Sequence, residues 1–230
     1  MTSPDSTLDA VFDAVAATAP EIRAALPGRR VESGTENESG ESVLAGDLYA
    51  DELLGDAITA VDGVGSFVSE EREAAVDAGG AVGSGGDEAL AVAIDPLDGS
   101  SNLRSNNAMG TVVGVYDRPL PASGEHLVAA AFVLYGPNTT MVVADGDRAA
   151  EYLVTDEGAD LLTDELAVPE DPTVYAMGGR RPDWTDRVTA VTESFEADRL
   201  KLRYGGAFVA DVMQVVTHGG VFGYPELRDA

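Results

Sequence analysis

The sequence predicts a layered α/β (α+β) fold, with an antiparallel N-terminal sheet flanked by helices and a smaller mixed α/β C-terminal domain. Three observations lead there. Two early segments carry apolar residues at helical spacing, and a series of strand-like segments separated by turn residues follows. After Pro169-Glu170-Asp171-Pro172, strand and helix patterns alternate over a short stretch. That proline-bounded stretch sets the expected boundary between residues 1–168 and 169–230.

Each element has its own warrant. From Thr7 to Leu26, the positions Leu8, Val11, Phe12, Val15, Ile22 and Leu26 form one apolar stripe, with Ser6 as N-cap and Gly28 past the end. Arg30 to Gly46 is polar and rich in Gly, Ser and Glu, so it reads as a loop. Asp47 to Val61 reads as a helix turning Leu48, Leu53, Leu54, Ala57, Ile58 and Val61 inwards, and Ser66 to Ser69 as a strand. Gly79 to Gly86 is a connection, and Ala89 to Ile94 is a short apolar run typical of a buried strand. Met109–Tyr116, His126–Tyr135, Thr139–Ala144 and Ala150–Thr155 are successive strands, punctuated by turns such as Asp145-Gly146-Asp147. In the C-terminal part, Thr173–Met177 and Lys201–Arg203 read as strands, and Asp186–Phe195 and Phe208–Thr217 as helices. His126 and His218 read as structural residues.

Composition narrows the function classes. The chain has 230 residues, 44% of them hydrophobic, enough for a sizeable core. It has no cysteine, which excludes disulfide and thiolate chemistry. No apolar run is long enough to span a membrane and no signal-like N-terminus is present, so the expected location is the cytoplasm. Asp and Glu number 41 against 14 Lys and Arg, a formal charge of −27, and Lys201 is the only lysine. Such a surface repels nucleic acid and anionic membranes. Concentrated salt would screen its self-repulsion, which points to a halophile.

The chemistry is concentrated in Asp95-Pro96-Leu97-Asp98-Gly99-Ser100-Ser101-Asn102, directly after an apolar strand. Pro96 restricts its own φ and biases Asp95 towards an extended backbone, so the segment is expected to be a stiff turn aiming Asp95 and Asp98 at one point. Hard cations such as Mg²⁺ prefer carboxylate and carbonyl oxygens. Gly99 permits close approach, and the amides that follow suit a phosphate. A second apolar approach, Phe67-Val68-Ser69, ends in Glu70-Glu71, whose side chains would diverge, one towards metal and one towards a water. Arg180 and Arg181 follow Gly178-Gly179 at a strand end, where guanidinium forks could hold a phosphate.

This order of motifs resembles the class I fructose-1,6-bisphosphatases, within the superfamily of Mg²⁺-dependent sugar phosphatases and inositol monophosphatases. The resemblance rests on Ser69-Glu70-Glu71, the Asp95–Asn102 octapeptide, Gly110–Tyr116 and Leu134–Val143. It continues through Arg203-Tyr204-Gly205-Gly206-Ala207-Phe208-Val209-Ala210-Asp211-Val212 and Gly219-Gly220-Val221-Phe222-Gly223-Tyr224-Pro225. It implies hydrolysis of the 1-phosphate of fructose 1,6-bisphosphate with two or three Mg²⁺ ions per site. The implied ligands are Glu70, Asp95, the Leu97 carbonyl and Asp98, with Glu41 and Asp47 near a third ion. Glu71 and Asp47 would orient or deprotonate the water, and Gly99, Ser100 and Ser101 would receive the scissile phosphate beside Asp98. Tyr204 and Tyr224 would lie beside the sugar and its distal phosphate. Arg203 would reach a neighbouring subunit's site, which implies a homo-oligomer, a dimer or tetramer. The first domain would thus carry metal and the second substrate. An inositol monophosphatase-like enzyme and a non-catalytic metal-binding relative are the alternatives.

Three departures from the family pattern shape further expectations. Gly178-Gly179-Arg180-Arg181 stands where the family has Asn-Glu-Gly-Tyr, so Arg180 or Arg181 is expected to take over the distal phosphate. Ala89-Leu90 replaces a Lys-Tyr pair, so AMP inhibition is not expected. The sequence ends five residues after Pro225, before a basic residue and a metal-binding Glu of the family, and so reads either as C-terminally incomplete or as a naturally truncated relative.

Overall fold

In the computed structural model, residues 4–30, 32–36, 42–83 and 89–228 are described. The chain opens with α1 (Pro4–Ala25), then β1 (Glu32–Glu36) and β2 (Ser42–Leu44), which pair antiparallel. The segment expected to be a loop is thus partly a hairpin, and Glu41 in its connection lies outside the described residues. Next come α2 (Ala45–Thr59), β3 (Val64–Ser69), β4 (Val76–Asp77), β5 (Leu90–Asp98) and the single turn α3 (Asn102–Ser105). Four long strands follow: β6 (Met109–Tyr116), β7 (Leu127–Tyr135), β8 (Thr139–Asp145) and β9 (Arg148–Thr155). The chain closes with β10 (Gly158–Thr163), β11 (Val174–Met177), α4 (Asp186–Ala197), β12 (Lys201–Leu202), α5 (Phe208–His218) and β13 (Gly220–Gly223).

Two larger sheets organise these elements. The first has eight strands in the order β10-β9-β8-β7-β6-β5-β3-β4, antiparallel throughout except where β3 runs parallel to β5. The second places β11 between β12 and β13, both parallel to it. The apolar stripe of α1 is buried as expected, and α1 packs on α2 and across β7 to β10. Leu48 departs from its expected inward position and is 41% exposed. Helix α1 also begins before Ser6, which falls within its first turn rather than capping it. Helix α5 touches β6 and β7 of the large sheet and β11 and β13 of the small one.

The main difference from expectation lies at the signature. Strand β5 does not stop at Ile94 but runs to Asp98. Asp95 pairs with Val112 and Asp98 with Gly110, so three steps along β5 match two along β6. That is a bulge, a place where a strand tolerates proline. Pro96 has no N–H to lose, and the Leu97 N–H donates to Asp95 Oδ1 at 3.0 Å, so the ladder is interrupted without an orphan donor there. In a regular strand, residues three apart point to opposite faces. The extra residue brings Asp95 and Asp98 to the same side.

Candidate active site

The bulge opens into a pocket of about 380 Å³. Asp47 reaches it from the first turn of α2, and Glu70 and Glu71 from the turn after β3. Asp95, Leu97 and Asp98 enter from β5, followed by Gly99, Ser100 and Ser101, and Tyr204, Gly206 and Tyr224 form the remaining wall. The donors are carboxylates, carbonyls, hydroxyls and amides, the set a hard divalent cation and a phosphate ester would use. Among the described residues no group of three or more acids forms a cation site by itself, and Glu41 lies outside them.

Local geometry explains how each group is aimed. Asp47 is buried, and its Oδ2 accepts the Leu44 N–H at 2.5 Å, capping α2 from within its first turn. Both oxygens of Asp98 accept backbone amides at the start of α5, from Phe208 at 3.0 Å and Val209 at 2.8 Å. Asp98 therefore joins the large sheet to α5, where a carboxylate also meets the positive end of the helix dipole. Each carboxylate oxygen keeps further acceptor capacity towards the pocket. Gly99 has φ +70°, and a Cβ there would lie 2.4 Å from the Ala207 Cβ, so only glycine lets the signature turn sit against the approach to α5. The Asn102 N–H donates to the Gly99 carbonyl at 2.8 Å, leaving the preceding amides at the head of α3.

The opposite wall is held by Asn102, the last residue of the signature, and by Asp211, to which sequence reasoning gave no role. Asn102 Nδ2 donates to the carbonyls of Ala108 and Gly205, both at 2.9 Å. Asp211, 1% exposed, accepts the Gly205 and Gly206 amides at 2.6 and 3.2 Å. A hint lay in the sequence: an Asp in the first turn of an apolar helix, just after Gly205-Gly206, is placed to cap that turn.

Crowding of like charges has a clear electrostatic consequence. Burial, then Glu70 and Asp98, push the Asp95 acid up to about 8, against the opposing Leu97 amide. Burial likewise raises Asp98, opposed by the Val209 and Phe208 amides, and raises Asp47, opposed by the Leu44 amide and Ser100. A divalent cation at these oxygens would reverse the penalty, so the residues present fit such an ion.

Three predicted residues are not brought to the pocket: Arg180, Arg181 and Arg203 are absent from its lining. Arg181 instead pairs with Glu193 at 3.1 Å and Glu196 at 3.7 Å on α4, because an acid-rich helix stands beside it. Gly178 has a different part. A Cβ there would lie 2.3 Å from the Tyr224 ring, so glycine lets Tyr224 lie over the end of β11.

Carboxylates gathered from α2, the turn after β3 and the β5 bulge face an amide-lined turn across one pocket, the donor set a metal-dependent phosphatase would use. Comparisons with known proteins agree. The model of the fructose-1-6-bisphosphatase N-terminal domain matches residues 6–165, and that of its C-terminal domain matches residues 168–230. The class 1 fructose-1,6-bisphosphatase of Halobacterium salinarum is 54% identical over 97% of this chain and 76% of its own length. That of Natronomonas pharaonis is 52% identical over 96% and 76%. Among solved structures, the holo form of Leishmania major fructose-1,6-bisphosphatase superposes with TM-score 0.86, covering 98% of this chain and 76% of that one at 20% identity. A putative sedoheptulose-1,7 bisphosphatase from Toxoplasma gondii gives 0.81 over 100% and 80% at 24% identity. The chain belongs to the class 1 fructose-1,6-bisphosphatase family, whose members are phosphatases that use divalent metal.

Proposed function

We propose that this pocket hydrolyses the 1-phosphate of fructose 1,6-bisphosphate, giving fructose 6-phosphate and phosphate. The observation that carries the reading is the bulge in β5, which turns Asp95 and Asp98 together into an acid-lined pocket beside Gly99–Ser101. Glu70, Asp95, Asp98 and the Leu97 carbonyl would hold two or three Mg²⁺ ions, with Glu41 contributing from outside the described residues. When bound, such ions polarise the phosphoryl group and acidify a water. Glu71 and Asp47 orient that water and accept its proton. The amides and hydroxyls of Gly99, Ser100 and Ser101 cradle the phosphate. Tyr204 and Tyr224 offer phenolic donors to the sugar end. Burial and the neighbouring Tyr204 push the Tyr224 phenol up to about 12, which keeps it protonated at neutral pH. The distal phosphate falls to these phenols and, from a neighbouring subunit, to Arg203.

The same reading divides the chain near Pro169 into a metal-binding and a substrate-binding domain. It places the enzyme in the cytoplasm of a halophile, as a homo-oligomer. No described helix is long and apolar enough to cross a membrane. Phosphate release from fructose 1,6-bisphosphate, ranked against inositol 1-phosphate at saturating Mg²⁺, tests the assignment. The bisphosphate should be the better substrate. A preference for inositol 1-phosphate would move the chain's activity to the related monophosphatases.

A further inference from the structure

We propose that Arg72 and Asp51 form a positioning clasp that sets Glu70 and Glu71 against Asp47 for cation binding. The inference rests on reading the pocket as a divalent-cation site. Arg72 directly follows the two glutamates, and its Nε donates to Asp51 Oδ2 at 2.8 Å while its Nη2 donates to the Asp51 carbonyl at 3.2 Å. Its guanidinium also stands over the Phe67 ring, 5.2 Å from the centroid. Glycine at residue 55 leaves room for the guanidinium in this position, since a Cβ there would lie 2.5 Å from Nη2. Asp51 sits one helical turn after Asp47, so α2 presents both on one stripe, Asp47 to the pocket and Asp51 to the clasp.

The turn bearing Glu70 and Glu71 is thereby tied at both ends. The Glu70 N–H donates to the Ile94 carbonyl at 3.1 Å, next to Asp95, and the Arg72 N–H closes the turn on the Ser69 carbonyl at 3.2 Å. The Arg72 side chain then ties the same turn to the helix carrying Asp47. Stability alone gives no reason for this construction. An ion pair between a half-buried Arg72 and a buried Asp51 is weak evidence for stability, and Asp51 Oδ1 is enclosed without a hydrogen-bond partner among the described residues. What a forked guanidinium supplies is fixed geometry. Asp51 also occupies a cation that would otherwise compete for the glutamates.

The test compares wild type, Arg72→Lys and Asp51→Asn as full chains. Mn²⁺ binding is read by paramagnetic resonance without substrate, beside thermal melts and the Mg²⁺ dependence of phosphate release. Lysine keeps the charge and loses the fork, whereas asparagine removes the carboxylate charge that holds the guanidinium and leaves only neutral acceptors. Each variant should bind Mn²⁺ about ten-fold or more weakly, the scale on which residues orienting metal ligands act. Each should also need correspondingly more Mg²⁺ for half-maximal turnover, with KM for fructose 1,6-bisphosphate unchanged at saturating Mg²⁺. Wild-type Mn²⁺ affinity in both variants, with only the melting midpoint lowered, would overturn the clasp. If Arg72→Lys does not fold, Asp51→Asn decides alone. A wild type that binds no Mn²⁺ would instead remove the reading of the pocket, and the clasp with it.

Discussion

Asp95 shows how the site's chemistry is bound to the stability of the fold. Its acid, ordinarily near 3.8, is pushed up to about 8 by burial and by Glu70 and Asp98. Between those values the folded chain holds a proton that the unfolded chain has lost. Stability must therefore fall as pH rises through that window. The raised acids of Asp47, Asp98 and Asp211 act in the same direction. A bound divalent cation favours the ionised carboxylates and should flatten the slope. In melts at constant KCl, the midpoint without divalent cation is expected to decline from about pH 5 to about pH 8. Added Mg²⁺ should raise it most at the alkaline end. A midpoint that does not decline, or a Mg²⁺ effect independent of pH, would contradict the crowded-carboxylate account.

At the scale of elements, the legible part of the site was the contiguous part. Glu70, Glu71 and the Asp95–Ser101 run declare themselves because apolar strands deliver them in sequence. The path of β5 was hidden, since Pro96 reads as a strand end until the bulge shows where its missing N–H is harmless. The pairing of β1 with β2 and the edge strand β10 were hidden too. Six exposed residues in β10 leave no alternation to read, and β13 is masked by its glycines. Contacts between distant segments were invisible for a different reason. Asp98 meeting the amides of α5 joins positions 110 and 111 residues apart, and Arg72 meeting Asp51 spans 21. No local pattern encodes either. The same blindness misdirected Arg181, whose carboxylate partners on α4 arrive only after the turn it belongs to.

For the whole molecule, charge sets the working conditions. A formal charge of −27 on 230 residues opposes compaction, and it also repels an anionic substrate unless local cations intervene. At 1 M salt the Debye length falls to ~3 Å, so repulsion beyond near neighbours is screened. Thermal midpoints should rise steadily from low to molar KCl, and a flat or falling series would exclude the halophile reading. The family match accounts for the fold over nearly the full chain, and the chain spans about three quarters of the length of its relatives.

In the function proposed above, carboxylates turned inwards by the β5 bulge make this pocket a divalent-cation-dependent phosphatase. Phosphate release from fructose 1,6-bisphosphate, measured in concentrated KCl for the wild type and Asp95→Asn, tests it most directly. Release by the wild type should require Mg²⁺, stop on chelation and return when Mg²⁺ is restored. Asp95→Asn should fold and yet stay inactive at saturating Mg²⁺, because one anionic oxygen is lost from the cation site. Turnover by the wild type that survives chelation, or near-wild-type turnover by Asp95→Asn, would contradict the claim.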